Sequence, residues 1–162
     1  MNDGAFKLRD RLRQERDALV ARFNAGGSVD GLLHGLARAV DHLLREVADA
    51  SGITQRASLI AVGGYGRGEL FPHSDVDVLI LLKQAPNEAD RATIENLVGL
   101  LWDLGLALGH SVRTVEECRE EAARDVTVLT SMLEARLIAG SRRQFESFSR
   151  AVVGAVDREA YF

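Results

Sequence analysis

The sequence predicts an α/β domain: a small mixed sheet flanked by helices and preceded by a helical pair. Three observations predict it. Two N-terminal segments repeat apolar residues at helical spacing. Two short apolar runs, Ser58–Val62 and Val76–Leu82, flank a polar, glycine-rich stretch and read as strands. Helical periodicity then returns on the far side of the second run. The 162 residues are 46% apolar, enough for one domain with a real core.

Taken in order, Phe6–Phe23 places Leu8, Leu12, Leu19 and Phe23 along one face among Lys7, Arg9, Asp10, Arg11, Arg13 and Glu15, an amphipathic helix with a dense charged side. Gly26-Gly27 stops it, and Ser28 is positioned to cap the next helix, marked by Leu32, Leu36, Val40, Leu43, Leu44 and Val47 and ending near Ser51-Gly52. A short turn between two such helices predicts an antiparallel pair. A third helix is expected over Asn87–Leu108, with Ile94, Leu97, Val98, Leu101, Leu104 and Leu108 inward, Trp102 among its core positions and Gly109 closing it. His110–Thr114 reads as a short third strand. Thr114 and Glu117 have capping-box spacing for a following helix. Asp125 then caps a helix over Val126–Ala139 closed by Gly140, and Arg142–Val156 reads as the last helix. Residues 157–162 give no ending signal. The expected organisation is a helical pair over 1–52, a core over 53–140, and a C-terminal helix over 141–162 that opens a longer helical region.

Twenty Lys+Arg against 24 Asp+Glu give a formal net charge of −4. That balance speaks against a protein built to grip nucleic acid, which carries a basic face, but leaves room for a local anion pocket. One cysteine, Cys118, excludes an internal disulfide and a cysteine-built zinc site, and reads as a small buried residue. The charged start is no signal peptide, and the longest wholly apolar run, Val78–Leu82, is far too short to cross a bilayer. No membrane role and a cytoplasmic location are therefore expected.

The chemistry concentrates in Gly63–Asp77, Gly-Gly-Tyr-Gly-Arg-Gly-Glu-Leu-Phe-Pro-His-Ser-Asp-Val-Asp. A Gly-Gly pair at the end of a strand lets backbone N–H groups approach a phosphate with no Cβ in the way. Strand alternation puts Asp75 and Asp77 on one face, about 7 Å apart at Cα, with Val76 turned into the core. Two such carboxylates repel unless a cation lies between them, and Mg²⁺ favours one or two carboxylates plus substrate phosphate oxygens. A lone Asp-x-Asp or a lone glycine cluster is a weak signal; their joint spacing is what points to a metal–nucleotide platform. Within the loop, Arg67 has two readings of equal weight, phosphate binding or an ion pair to Glu69 or Asp75. Ser74 can bond a phosphate or cap the turn, and His73 is expected to face solvent. On the third strand Arg113 is the preferred further contact to a triphosphate.

The Gly-Gly, spacer, Asp-x-Asp arrangement resembles the signature of the nucleotidyltransferase superfamily related to DNA polymerase beta. The fuller Gly63–Asp77 string, with Gly109–Thr114 and Leu133–Gly140, is similar to the bacterial uridylyltransferase/uridylyl-removing enzymes that act on the PII nitrogen-signalling protein. The resemblance implies transfer of UMP from UTP to a PII tyrosine with Mg²⁺, Gly63 and Gly64 on the triphosphate, and Asp75 and Asp77 as the catalytic metal ligands. Those enzymes are several times longer and carry a hydrolytic HD-type domain, so this chain is expected to be part of a larger multidomain enzyme. The superfamily usually adds a third carboxylate from a later strand. Here that strand offers Ser111 between His110 and Val112, leaving Asp125 and Glu134 as weak candidates. AMP transfer and a non-catalytic nucleotide- or partner-binding module stay open beside uridylyl transfer.

Overall fold

The computed structural model describes residues 3–156. Helix α1 (Asp3–Asn24) and α2 (Val29–Ser51) form the expected pair. Arg11 meets Glu46 at 2.5 Å while Leu19 packs on Gly35, so the two run antiparallel. Ser28 caps α2, its hydroxyl accepting from the Gly31 N–H at 3.0 Å. Phe23, expected on the inward face of α1, is instead exposed in the last turn of that helix.

A short 3₁₀ turn, Ile53–Gln55, leads into strand β1 (Ala57–Ala61). Then come a one-turn helix α3 (Gly63–Gly66), β2 (Val76–Leu82), α4 (Glu88–Asp103), β3 (Leu108–Thr114), α5 (Val115–Arg124), α6 (Val126–Leu133), β4 (Arg136–Ala139) and α7 (Arg142–Gly154). The strands lie in the order β3-β2-β1-β4. β1 is antiparallel to both β2 and β4, and β2 is parallel to β3, so the sheet is mixed.

Alternation divides the sheet's apolar residues between two cores. Leu59, Ala61, Val78, Ile80 and Leu82 pack with α2 and α4 in the larger one. Ile60, Leu79 and Leu81 face the other way, onto Cys118 and Ala122 of α5, Leu129 and Met132 of α6, and Phe148 and Val152 of α7. With both faces covered, β1 and β2 are buried along almost their whole length, which is why they read as continuous apolar runs.

Three expectations about elements need correction. The third helix stops at Asp103, not Leu108: Gly105 takes a left-handed conformation (φ +86°), and Leu106 and Leu108 enter the core from an extended segment. Gly109, expected to close that helix, lies inside β3. The expected helix over Val126–Ala139 ends at Leu133, and Arg136–Ala139 becomes the fourth strand, pairing with the otherwise open edge of β1. Trp102 is 56% exposed, because α4 turns it away from the sheet while Ile94, Leu97 and Leu101 are buried. The start of the stretch between β1 and β2, expected as a long turn, is the one-turn helix α3. No helix among the described residues is long and apolar enough to cross a membrane.

Candidate functional site

The site forms where β1 ends and β2 begins. The Val62 N–H donates to the Asp77 carbonyl at 3.1 Å, which fixes the glycine turn against the start of β2. Gly63 follows with φ +60°, a conformation that a side chain strains. A Cβ at Gly63 would stand 3.4 Å from the Ser131 hydroxyl and 3.8 Å from Asp77 Oδ2. The turn, the carboxylate and α6 thus meet at one point.

Asp77 and Asp75 share a face of the β2 entry, while Val76 between them is buried. Partial burial first, and the negative charge of Asp75 second, push the Asp77 carboxyl above its usual range. Among the described residues neither carboxylate has an ion-pair partner, and none of the side-chain hydrogen bonds ends on them. Across the parallel ladder Asp77 stands opposite Gly109, and a Cβ there would lie 2.5 Å from Asp77 Oδ1, so the carboxylate occupies space that any side chain would fill. Two unpaired carboxylates two residues apart, one of them partly desolvated and raised by its neighbour's charge, suit a hard divalent cation that completes its shell with ligand oxygens. Among the described residues no third Asp, Glu, His or Cys groups with them. The two weak candidates are engaged elsewhere: Asp125 caps α6 through the Thr127 N–H at 2.8 Å, and Glu134 holds Arg67 at 2.5 Å.

A cavity of about 410 Å³ opens beside Asp77 between β3 and α6. Ser111 and Arg113 line its β3 side, and Thr127 and Ser131, one helical turn apart, line the α6 side. Arg113 lies four residues beyond Gly109, about 13 Å along the strand, so it belongs to the far end of the cavity. The α6 hydroxyls were not singled out from the sequence. The signal for them was the i, i+4 spacing of Thr127 and Ser131 on a helix whose one other polar residue is Thr130.

The remaining loop residues behave as follows. Arg67 takes the ion-pair reading, with Glu134 at 2.5 Å and Glu69 at 3.4 Å, and both acids hold its guanidinium charged. Its Nη2 lies over Gly64, 3.5 Å from where a Cβ would be. The Ser74 hydroxyl accepts from the Phe71 N–H at 2.8 Å and so caps the turn, while His73 is exposed.

A second group missed from the sequence supports the turn from behind. The Tyr65 hydroxyl donates to Asp41 of α2 at 2.6 Å, and Arg136 of β4 meets the other Asp41 oxygen at 2.6 Å. Arg136 also donates to the Tyr65 carbonyl at 2.9 Å and stacks 5.3 Å over the Tyr65 ring. Burial first, then Asp41, raises the Tyr65 pKa, so the phenol stays a donor. These residues come from three separated stretches of chain, which no local pattern joins.

Similarity to known proteins gives the family. Residues 40–138 match the family model of the nucleotidyltransferase domain. Proteins named bifunctional uridylyltransferase/uridylyl-removing enzyme are similar to this chain. One from Bordetella avium is 48% identical over 155 residues, and one from Cupriavidus pinatubonensis is 46% identical over 158. The alignments take in 96% and 98% of this chain but 18% of each relative, so the chain spans less than a fifth of their length. A solved structure of a mutant MntA–HpeT toxin–antitoxin aligns with 70% of this chain and 84% of its own, with TM-score 0.47 and 12% identity. The matched segment runs from the middle of α2 through β4 and holds the glycine turn, both aspartates and the Asp41–Arg136 pair, and on that match the chain belongs to the nucleotidyltransferase domain family.

Proposed function

We propose that this domain transfers UMP from UTP to a tyrosine hydroxyl of a PII-type signalling protein, with Mg²⁺ as the metal, in the cytoplasm. The observation that carries the reading is the unpaired Asp75–Asp77 face beside Gly63. The names of the relatives support the uridylyl group as the one transferred.

Each residue has a part in that reading. Gly63 and Gly64 offer backbone N–H groups to the outer phosphates, since neither carries a side chain to keep an anion away. Asp75 and Asp77 would hold the metal, whose charge would offset their repulsion. Arg67, paired with Glu134 and Glu69, ties the glycine turn to the end of α6, and Ser74 keeps the loop before Asp75 in shape. Mg²⁺, when bound, supplies positive charge that eases attack at the α-phosphorus and departure of pyrophosphate. In the transfer the tyrosine oxygen forms a bond to the α-phosphorus and the bond to the pyrophosphate oxygen breaks. The phenolic proton leaves to solvent. A phenol, with a pKa of about 10, releases that proton more readily than an alcohol does.

The test is transfer of label from α-labelled UTP to purified PII protein. The reading expects labelling with UTP and Mg²⁺, and loss on the order of a hundredfold or more in Asp77→Asn. Preferential labelling from ATP contradicts uridylyl transfer and favours AMP transfer. One observation favours a second reading, nucleotide binding without turnover: the described residues group no third acid with the pair. Tight Mg²⁺-dependent UTP binding with no labelling of PII supports that module instead.

A further inference from the structure

We propose that the Ser131 hydroxyl of α6 is a phosphate contact of this site, donating to an oxygen of the triphosphate that lies against Gly63. The proposal rests on the nucleotide reading of the Asp75–Asp77 face and adds to it a donor from a helix outside the glycine turn and the aspartate strand.

The first observation is convergence. The point beside Gly63 where a side chain would begin is open. Among the described residues beyond its chain neighbours, two side-chain atoms come within 4 Å of it: Ser131 Oγ at 3.4 Å and Asp77 Oδ2 at 3.8 Å. A phosphate brought to the Gly63 backbone meets those two oxygens, and they are not equivalent. An ionised carboxylate only accepts, as does a phosphate oxygen, so Asp77 and the anion share the site only with a cation between them. A hydroxyl donates, and it does so without placing another charge beside the carboxylates. Ser131 is therefore the side chain at that point able to bond the phosphate directly.

The second observation is that this hydroxyl is not spent on its own helix. Thr130, its neighbour, donates to the Val126 carbonyl four residues back at 2.8 Å, the usual outlet for a hydroxyl inside a helix. Ser131 has the same outlet in the Thr127 carbonyl and leaves it unused. Its side chain makes no hydrogen bond among the described residues, and its oxygen is turned towards the glycine turn, in the wall of the cavity beside Asp77.

The third is fixity. One helical turn on, Glu134 fastens the end of α6 to the same glycine turn: its carbonyl fills the space a Cβ on Gly66 would need, and its carboxylate pairs with Arg67 at 2.5 Å. Leu129 and Met132 bury the inner face of α6 against the sheet. Ser131 lies between these anchors, so its hydroxyl is in place before a ligand arrives and costs little ordering on binding.

The experiment measures equilibrium binding of UTP and of inorganic tripolyphosphate to the 162-residue chain in Mg²⁺, for the wild type, Ser131→Ala and Thr130→Ala. Tripolyphosphate presents the phosphates without a nucleoside. Thr130→Ala removes the neighbouring hydroxyl, which serves its own helix, and controls for a general disturbance of α6. The proposal expects Ser131→Ala to weaken UTP and tripolyphosphate by the same factor, about tenfold, as for a lost hydrogen bond to a charged group. Its melting temperature stays that of the wild type, because no bond within the protein is lost, and Thr130→Ala binds both ligands normally. Unchanged binding in Ser131→Ala overturns the proposal and leaves the nucleotide reading standing. Weaker UTP with unchanged tripolyphosphate also overturns it, since the hydroxyl then touches the nucleoside. An equal loss in Thr130→Ala overturns it as an effect of the helix. If the wild type binds neither ligand, the nucleotide reading itself fails, and the phosphate contact falls with it.

Discussion

At Asp77 stability and function pull in opposite directions. Its carboxyl is pushed up by burial and by Asp75, so in the window above the ordinary carboxylate pKa the folded state holds more proton than the unfolded one. Stability then falls as pH rises through that window, the reverse of an ion-paired aspartate. Asp77→Asn removes the penalty. The variant is expected to melt higher than the wild type at neutral pH without divalent metal, with the difference vanishing in acid. Thermal melts across pH 3–8 check this, and a lower melting temperature at neutral pH contradicts it. Cys118 gives a simpler prediction. It is fully buried and its thiol is pushed up to about 12, so alkylating reagents at pH 8 should leave the folded protein unmodified and label it on unfolding.

Between residue and molecule, the elements show what the sequence can carry. Strand β2 was legible to the residue, because Val76–Leu82 is buried on both faces and its residues say so without reference to anything distant. The aspartate pair was legible for the same reason, since strand alternation alone puts Asp75 and Asp77 on one face. β4 was not legible. Leu133–Ala139 continues a helical apolar pattern, and only the free edge of β1 makes Arg136–Ala139 extended. The end of α4 was lost similarly: Leu104 and Leu108 fit helical spacing, but Gly105 breaks the helix between them. The Asp41–Tyr65–Arg136 group was invisible because its members are up to 95 residues apart.

Two predictions belong to this scale. Arg136→Met leaves buried Asp41 with the Tyr65 hydroxyl and, as its one cation, Arg45 3.9 Å away, and should cost about 2 kcal/mol of stability, read by denaturant unfolding. Gly109→Ala puts a methyl where Asp77 Oδ1 lies. It should change stability by less than about 1 kcal/mol. Because a misplaced reacting group costs far more than a misplaced structural one, transfer should fall by about tenfold or more. Steady-state kinetics beside a melt separate the two effects.

At the scale of the whole molecule, the mixed sheet is a partition. Helices α1, α2 and α4 close one face and α5, α6 and α7 the other, and the glycine turn, the aspartates and the β3–α6 cavity collect where the second cover stops short of the strand ends. The central claim is that this opening binds a nucleotide through metal held by Asp75 and Asp77. Calorimetric titration of UTP into the chain, with Mg²⁺ and again with the metal chelated, tests it most directly. The account predicts saturable heat with Mg²⁺ that disappears on chelation and in Asp77→Asn; binding that is equal in all three conditions, or absent from the wild type with Mg²⁺, contradicts it.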